Sequence, residues 1–211
     1  MARRSDHTRS ELRQLILDAA HLHMAEVGIA RFSTREVAKR IGYSGGTVLN
    51  VFVSGDGLIA SVNTITFSLW ADVLERALSS DPEDPIRTLV DAYFSFARRN
   101  PNLWSAIYAH QPASGFVIDE GELESRSRLT GIVAGVVAST LPEHRRGEAE
   151  RLTRSLVAVV HGHCSLELGG SYALMGSMDA RGDALERVRE TLQAGMTPQT
   201  HSGSTPAETI R

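Results

Sequence analysis

The segment STREVAKRIGYSGGTVLNVF, residues 33–52, constrains the fold of this chain more than any other. It reads as two short helices joined by a tight turn. Ser33 is placed to cap the first helix, and Glu36 three residues later completes a capping box, each side chain satisfying the other's free backbone N–H. Ala38 is small enough for a second helix to cross close by. Gly42, four residues on, can take the left-handed conformation that stops a helix. Ser44 can cap the second helix, whose apolar positions are Val48, Val51 and Phe52. A small residue, a glycine four steps later and then apolar anchors is the pattern of a DNA-binding helix-turn-helix, whose second helix enters the major groove.

The formal net charge of −3 has the wrong sign for a chain that meets phosphate over its whole surface, but the charge is unevenly spread. Residues 1–53 hold eight Arg and Lys against five Asp and Glu, whereas the remainder holds fourteen against twenty. A basic end on an acidic body suits a regulator that touches DNA at one end, and argues against a coat or chromatin protein. The single cysteine, Cys164, excludes an intramolecular disulfide framework and a multi-cysteine zinc site. The start MARRSDHTRSELRQ has no apolar signal core behind its basic residues, and no uncharged apolar run approaches a membrane span. The expectation is a soluble, cytoplasmic protein that does not enter a membrane.

Helical period runs nearly throughout, without a convincing run of period two. Residues 1–7 read as a flexible basic arm. Thr8 with Glu11 forms a second capping box, opening a helix that stops at Gly28. After the helix-turn-helix, a long helix from Asp56 carries Leu58, Val62, Ile65, Leu69 and Val73 on one stripe and breaks at SSDPEDP. Residues 86–99 are helical, ended by Asn100-Pro101. The next helix, about 102–111, carries Trp104 and Tyr108 one turn apart, and 112–122 reads as a loop. A helix over 123–141 has Gly131 and Gly135 four apart, leaving room for a close neighbour, and 142–147 is a polar turn.

The helix at about 148–170 has two apolar stripes, Leu152, Leu156, Val159, His163 and Leu166 on one and Val157, Val160, Cys164 and Leu168 on the other. A helix apolar on both faces is buried on both, one against its own core and the other against a second subunit. A last helix, 183–195, presents Leu185, Val188 and Leu192, with Met196 following. The fold class is therefore all-α. An N-terminal three-helix DNA-binding domain with its arm occupies 1–54, a larger helical ligand-binding and dimerisation domain 55–196, and a polar, disordered tail 197–211.

ILDAAHLHMAEVG (16–28), STREVAKRIGYSGGTV (33–48) and Phe52, ahead of an all-helical body, resemble the tetracycline-repressor (TetR) family. HGHCSLELGGSY (161–172) before a last helix ending LQAGM is similar to a His-Gly type of ligand domain in that family, although Leu156 and Val157 stand where a tryptophan is usual. The resemblance implies bacterial homodimers that bind palindromic operator DNA and release it when a small molecule fills the C-terminal domain. It implies phosphate contacts from Ser33, Thr34 and Arg35, and base reading from Ser44, Gly45, Gly46, Thr47 and Asn50. Each role has a chemical basis. Helix N-termini offer free N–H groups to phosphate, and an asparagine amide pairs bidentately with adenine. Three positions depart from the family: Leu49 where tyrosine is usual, Val51 where an aromatic or histidine is usual, and Gly55 where lysine is usual. The usual Tyr and Lys hold phosphate, so their loss weakens binding, with Arg3, Arg4 and Arg9 available to compensate. Leu49 can instead touch a thymine methyl.

His161-Gly-His163-Cys164 invites a metal reading, but residues two apart do not share a helix face, and His161 with Cys164 supplies only two ligands. Among the aromatics Trp70, Tyr93, Phe94, Phe96, Trp104, Tyr108, Phe116 and Tyr172, most read as core. Trp104 and Tyr108, with His163, are the candidate lining of a pocket for a mostly hydrophobic or aromatic effector. Arg98-Arg99 and Arg145-Arg146 read as solvated helix ends. No nucleophile elbow, phosphate loop or carboxylate pair is present, which points away from an enzyme and from any cofactor. The expected function is a ligand-released repressor, dimeric through the helices at 148–170 and 183–195. Two rivals remain at this level: a dimeric small-molecule binder whose helix-turn-helix only supports the fold, and a helical enzyme using His161 or His163.

Overall fold

The computed structural model describes residues 7–113, 117 and 120–194. Arg3 and Arg4 of the basic arm, Phe116, Met196 and the 197–211 tail lie outside the described residues. The described chain is all-helical: α1 (Arg9–Val27), α2 (Thr34–Arg40), α3 (Gly45–Phe52), α4 (Gly55–Ser80), α5 (Pro85–Arg99), α6 (Pro101–Ala109), α7 (Glu120–Thr140), α8 (Ala149–Leu168), α9 (Ser171–Leu174) and α10 (Ala180–Gln193). Short 3-10 turns at Ile29–Arg31 and Glu143–Glu148 complete it.

Local chemistry sets most of these boundaries. Thr8 and Glu11 form the full capping box, Thr8 N–H donating to Glu11 Oε2 at 2.8 Å and Glu11 N–H to Thr8 Oγ1 at 3.3 Å. At α2 only half of the box forms. Ser33 Oγ accepts from Glu36 N–H, while the Glu36 carboxylate turns to Lys39 at 3.8 Å. Gly42, at φ +75°, ends α2 in a Schellman motif: Tyr43 N–H reaches Ala38 O at 2.9 Å and Gly42 N–H reaches Lys39 O at 3.2 Å. Ser44, Ser54, Asp84 and Asp179 each accept a first-turn N–H of the helix they precede. The Asp179 cap starts α10 at Ala180, three residues earlier than periodicity suggested, and Glu120 and Glu122 in the first turn start α7 inside the expected loop.

Two apolar cores result. The first gathers Ile16, Ala20 and Met24 of α1, Val37 and Ala38 of α2, and Val48 and Phe52 of α3. It extends beyond residue 54 to Leu58 and Val62 of α4 and to Leu103 and Ala106 of α6. The second joins Trp70 and Leu74 of α4 with Phe94, Trp104, Leu156, Cys164 and Val188. Helices α4 and α6 thus belong to both cores. The buried face of α4 is Leu58, Val62, Thr66, Trp70 and Leu74; it begins on the expected stripe at Leu58 and Val62 and then leaves it, and Leu69 is 43% exposed. Thr66 is tolerated inside because its hydroxyl donates to Val62 O at 3.1 Å. By length and composition α4 could cross a membrane, but it packs against α1, α5 and α7 as a shared core helix.

Arg98 stays exposed at the end of α5, as expected, whereas the expectation for Arg145 is corrected. Arg145 is buried and donates to Leu192 O and Ala194 O at 3.1 and 2.7 Å, closing the C-terminal end of α10. Arg98 clamps Glu167 of α8 with bonds of 2.7 and 2.9 Å. On α8, the face Leu152, Leu156, Val160 and Cys164 is buried, whereas Leu166 and Leu168 stay exposed at 39% and 38%. Gly131 and Gly135 approach nothing within the chain.

Candidate nucleic-acid interface and effector cavity

Val48 and Phe52 anchor α3 in the first core, which turns Gly46, Leu49, Asn50 and Val53 outward. These positions are spaced as one helix face and its exit. Leu49 is 42% exposed and Val53 90%. Ser44 and Thr47 hydroxyls pair at 2.9 Å, and Ser44 Oγ also accepts Thr47 N–H at 3.1 Å. One hydroxyl hydrogen of that pair therefore remains for an outside acceptor. Gly45 has open space where a Cβ would sit, and a Cβ on Gly46 would make only an ordinary contact with Ser44 Oγ at 3.7 Å, so packing does not require either to be glycine.

The N-terminus of α2 carries Ser33, Thr34 and the exposed Arg35, which has no ion pair among the described residues. Arg40, by contrast, is held by Glu26 at 2.5 Å. A Cβ on Gly55, the first residue of α4, would lie 3.7 Å from Thr34 Oγ1, an ordinary contact. The first turns of α2 and α4 therefore converge, and their free N–H groups make a natural anion site.

Between α3 and α4 the chain makes a tight reversal that sequence reasoning missed. Val53 has φ +67° and ψ −42°, and Ser54 N–H closes onto Phe52 O at 2.7 Å, a strained γ-turn. The turn pushes the Phe52 carbonyl over Gly57, where a Cβ would sit 2.3 Å from that oxygen.

In the body, Tyr93 of α5 is the hub of a polar cluster. Its hydroxyl lies 3.1 Å from Tyr108 OH and 3.0 Å from His161 Nδ1, and accepts Trp104 Nε1–H at 3.3 Å. Burial lowers the His161 pKa, which favours the neutral ring, whose Nδ1 can accept from Tyr93 OH. The Tyr108 and His161 ring centroids are 4.0 Å apart. His163 is not in this cluster: two residues along the helix it faces elsewhere, its Nδ1–H bonded to Val159 O at 2.8 Å and its ring 5.7 Å from Tyr172. Burial pushes the Cys164 thiol up to about 12, a poor state for a metal ligand.

A cavity of about 320 Å³ opens beside the cluster, walled by Phe67 and Trp70 of α4, Tyr93, Ile107 and Tyr108 of α5 and α6, and Arg126 of α7. Of the three lining residues chosen from sequence, Tyr108 is in this wall, Trp104 lies behind it, and His163 is remote. Phe67 and Arg126 were not anticipated.

Residues 16–62 match the family described as bacterial regulatory proteins, tetR family, and residues 86–192 match the tetracyclin repressor-like C-terminal domain. The chain belongs to the TetR family. Regulators of this family are DNA-binding and non-enzymatic, which argues against the histidine-enzyme reading. It is 26% identical over 122 residues to the nucleoid occlusion factor SlmA of Mannheimia succiniciproducens, a stretch covering 56% of this chain and 55% of that one. The chain thus spans about half the length of that curated relative. Its fold is similar to a Rhodococcus sp. RHA1 protein of unknown function, with a TM-score of 0.69 at 22% identity, covering 90% of this chain and 99% of the other. It is also similar to the multidrug binding protein EbrR complexed with imidazole, with a TM-score of 0.58 at 21% identity over 89% and 96% of the two chains.

Three histidines of this TetR protein are lowered in pKa chiefly by burial: His21, His23 and His161. Neither ring nitrogen of His23 has a partner, and the Arg40 charge lowers it further. Between the folded and unfolded pKa values the unfolded chain binds more protons, so stability rises with pH there. The stabilisation is complete above the unfolded value of about 6.5 and is lost as pH falls through the folded values. Thermal midpoints are expected to drop from about pH 7.5 to about pH 5.5, and His23→Leu should flatten the slope. A flat profile in the parent protein would refute this assignment.

Proposed function

We propose that the protein is a homodimeric repressor that binds a palindromic operator in the cytoplasm and lets go when a mostly apolar or aromatic small molecule fills the cavity between α4 and α8. The supporting observation is that α6 is shared. Ile107 and Tyr108 wall the cavity, while Leu103 and Ala106 on the same helix belong to the core of the DNA-binding half. Both ends of α6 are tied to that half. Asn102 Nδ2–H donates to Ala25 O of α1 at 2.8 Å. Past the other end, His110 meets Asp56 at 3.3 Å and Ala113 N–H donates to Asp56 Oδ2 at 3.1 Å, one residue beyond the start of α4. A ligand that displaces α6 would therefore shift α1 and α4 together, and with them the spacing of two recognition helices. The switch needs a ligand preference of a few kcal/mol for one arrangement.

The partially covered α8, with Leu166 and Leu168 outward, and α10 are the dimer surface in this reading. Ser33, Thr34 and Arg35 hold phosphate, Leu49 touches a thymine methyl, and Ser44, Gly45, Gly46, Thr47 and Asn50 face the base edges. The test is a salt-dependent gel shift and anisotropy titration on the DNA flanking the gene. Asn50→Ala is expected to weaken specific binding by ~1–3 kcal/mol. Gly55→Lys, which restores a cation beside Thr34, is expected to tighten binding and steepen the salt slope by about one per subunit. If neither variant moves DNA affinity, the reading of a ligand binder with a merely supportive helix-turn-helix takes its place.

A further inference from the structure

Resting on the reading of the α4–α8 cavity as the effector site, we propose that the effector is an aromatic carboxylate and that Arg126 anchors it. The argument starts from the charge in the wall. Among the described residues, Arg126 is the one charged residue lining the cavity. Its guanidinium lies 5.2 Å from the Phe67 ring centroid, and no carboxylate among the described residues is within ion-pair distance of it. Arg128, two residues on, shows the contrasting case: it is bound by Asp72 at 2.7 Å and Glu75 at 2.6 Å.

The other polar groups of the wall are committed or are donors. The Thr130 hydroxyl is within reach of the carbonyls of Arg126 and Ser127 at 3.0 and 3.2 Å. Tyr93 OH has three partners, and one of them is Tyr108 OH. Trp70 contributes an indole N–H that is buried without an acceptor. Among the described residues the wall thus offers a guanidinium and no acidic side chain. That inventory selects an acceptor-rich, negatively charged head. The planar fork of arginine fits a carboxylate bidentately.

The body of the ligand follows from the remaining walls. Phe67, Trp70, Tyr93 and Tyr108 present ring faces and edges, which favour an aromatic skeleton. Leu74 and Tyr93 also line a second, smaller pocket of about 60 Å³, whose described lining is apolar and tyrosyl and includes Ile86 and Val188. An apolar substituent opposite the carboxylate would fit there. A cationic aromatic would set two like charges together in a largely apolar enclosure.

The test is calorimetric titration of the full-length protein with three isosteric probes: 2-naphthoate, 2-naphthamide and 2-naphthylmethylammonium. Naphthoate is expected to bind at least about tenfold more tightly than the other two. Arg126→Gln should abolish that preference while leaving naphthamide affinity unchanged, and Arg128→Gln should preserve it. Equal or tighter binding of the ammonium probe overturns the carboxylate assignment and leaves the cavity reading standing. A preference that survives in Arg126→Gln does the same. If none of the three binds, both the assignment and the effector-cavity reading fall.

Discussion

Gly57→Ala is expected to unseat the recognition helix. The added methyl would lie 2.3 Å from the Phe52 carbonyl oxygen, well inside contact distance, and both atoms belong to backbone that cannot swing aside. The oxygen is held there by the γ-turn at Val53, and Gly57 N–H is itself the bond that Ser54 Oγ accepts at 3.0 Å to cap α4. Relief requires opening the turn, uncapping α4 or withdrawing Phe52, which is buried beneath the Arg13 guanidinium 4.4 Å from its ring. Each route costs of order 1–3 kcal/mol, and a combined loss of about 3 kcal/mol is the expected result. Urea unfolding measures it, and operator titration should show a larger proportional loss, because α3 is the element displaced. Stability within about 0.5 kcal/mol of the parent would mean that the tight reversal does not exist in solution.

Phe94→Ala is the second large effect. Phe94 is fully buried at 0% exposure in the second core, edge-on to Tyr93 at 6.4 Å, with Arg98 5.4 Å above its ring. Removing the ring leaves a cavity that the surrounding helices close only in part, costing ~3–5 kcal/mol. That is a large fraction of the 5–15 kcal/mol typical of a folded domain. The loss should also loosen Tyr93, the centre of the hydrogen-bonded cluster beside the effector cavity, so ligand affinity should fall even where the variant still folds. A denaturation midpoint within about 1 kcal/mol of the parent would contradict the packing described.

Much of the fold was legible from residues close together in sequence. The Thr8–Glu11 box, the Gly42 stop and the Ser44 cap are contacts between residues three to five apart, so their spacing in the chain is their geometry. The order of helices followed for the same reason. The half-formed box at Ser33 shows the limit even there, because Glu36 had a competing partner in Lys39. The α4 stripe shows another: Thr66, a polar residue, is buried because its hydroxyl closes on the helix's own carbonyl.

The candidate effector site was the least legible part. His161 and His163 are equivalent as residue types, and only the rotation of α8 against α5 and α6 brings His161 to Tyr93 and sends His163 away. Arg126 and Arg128 stand two apart in ESRSRL, yet one is spent on Asp72 and Glu75, more than fifty positions earlier, and the other is left facing a cavity. The helix-turn-helix, its caps and the all-helical class were thus determined by the chain itself, through interactions that reach no further than one or two turns. Which histidine joins the cluster, which arginine keeps its charge free and which glycine admits a carbonyl were settled by helix packing. Those facts depend on the relative rotation of elements far apart in sequence, and local periodicity carries no information about that rotation.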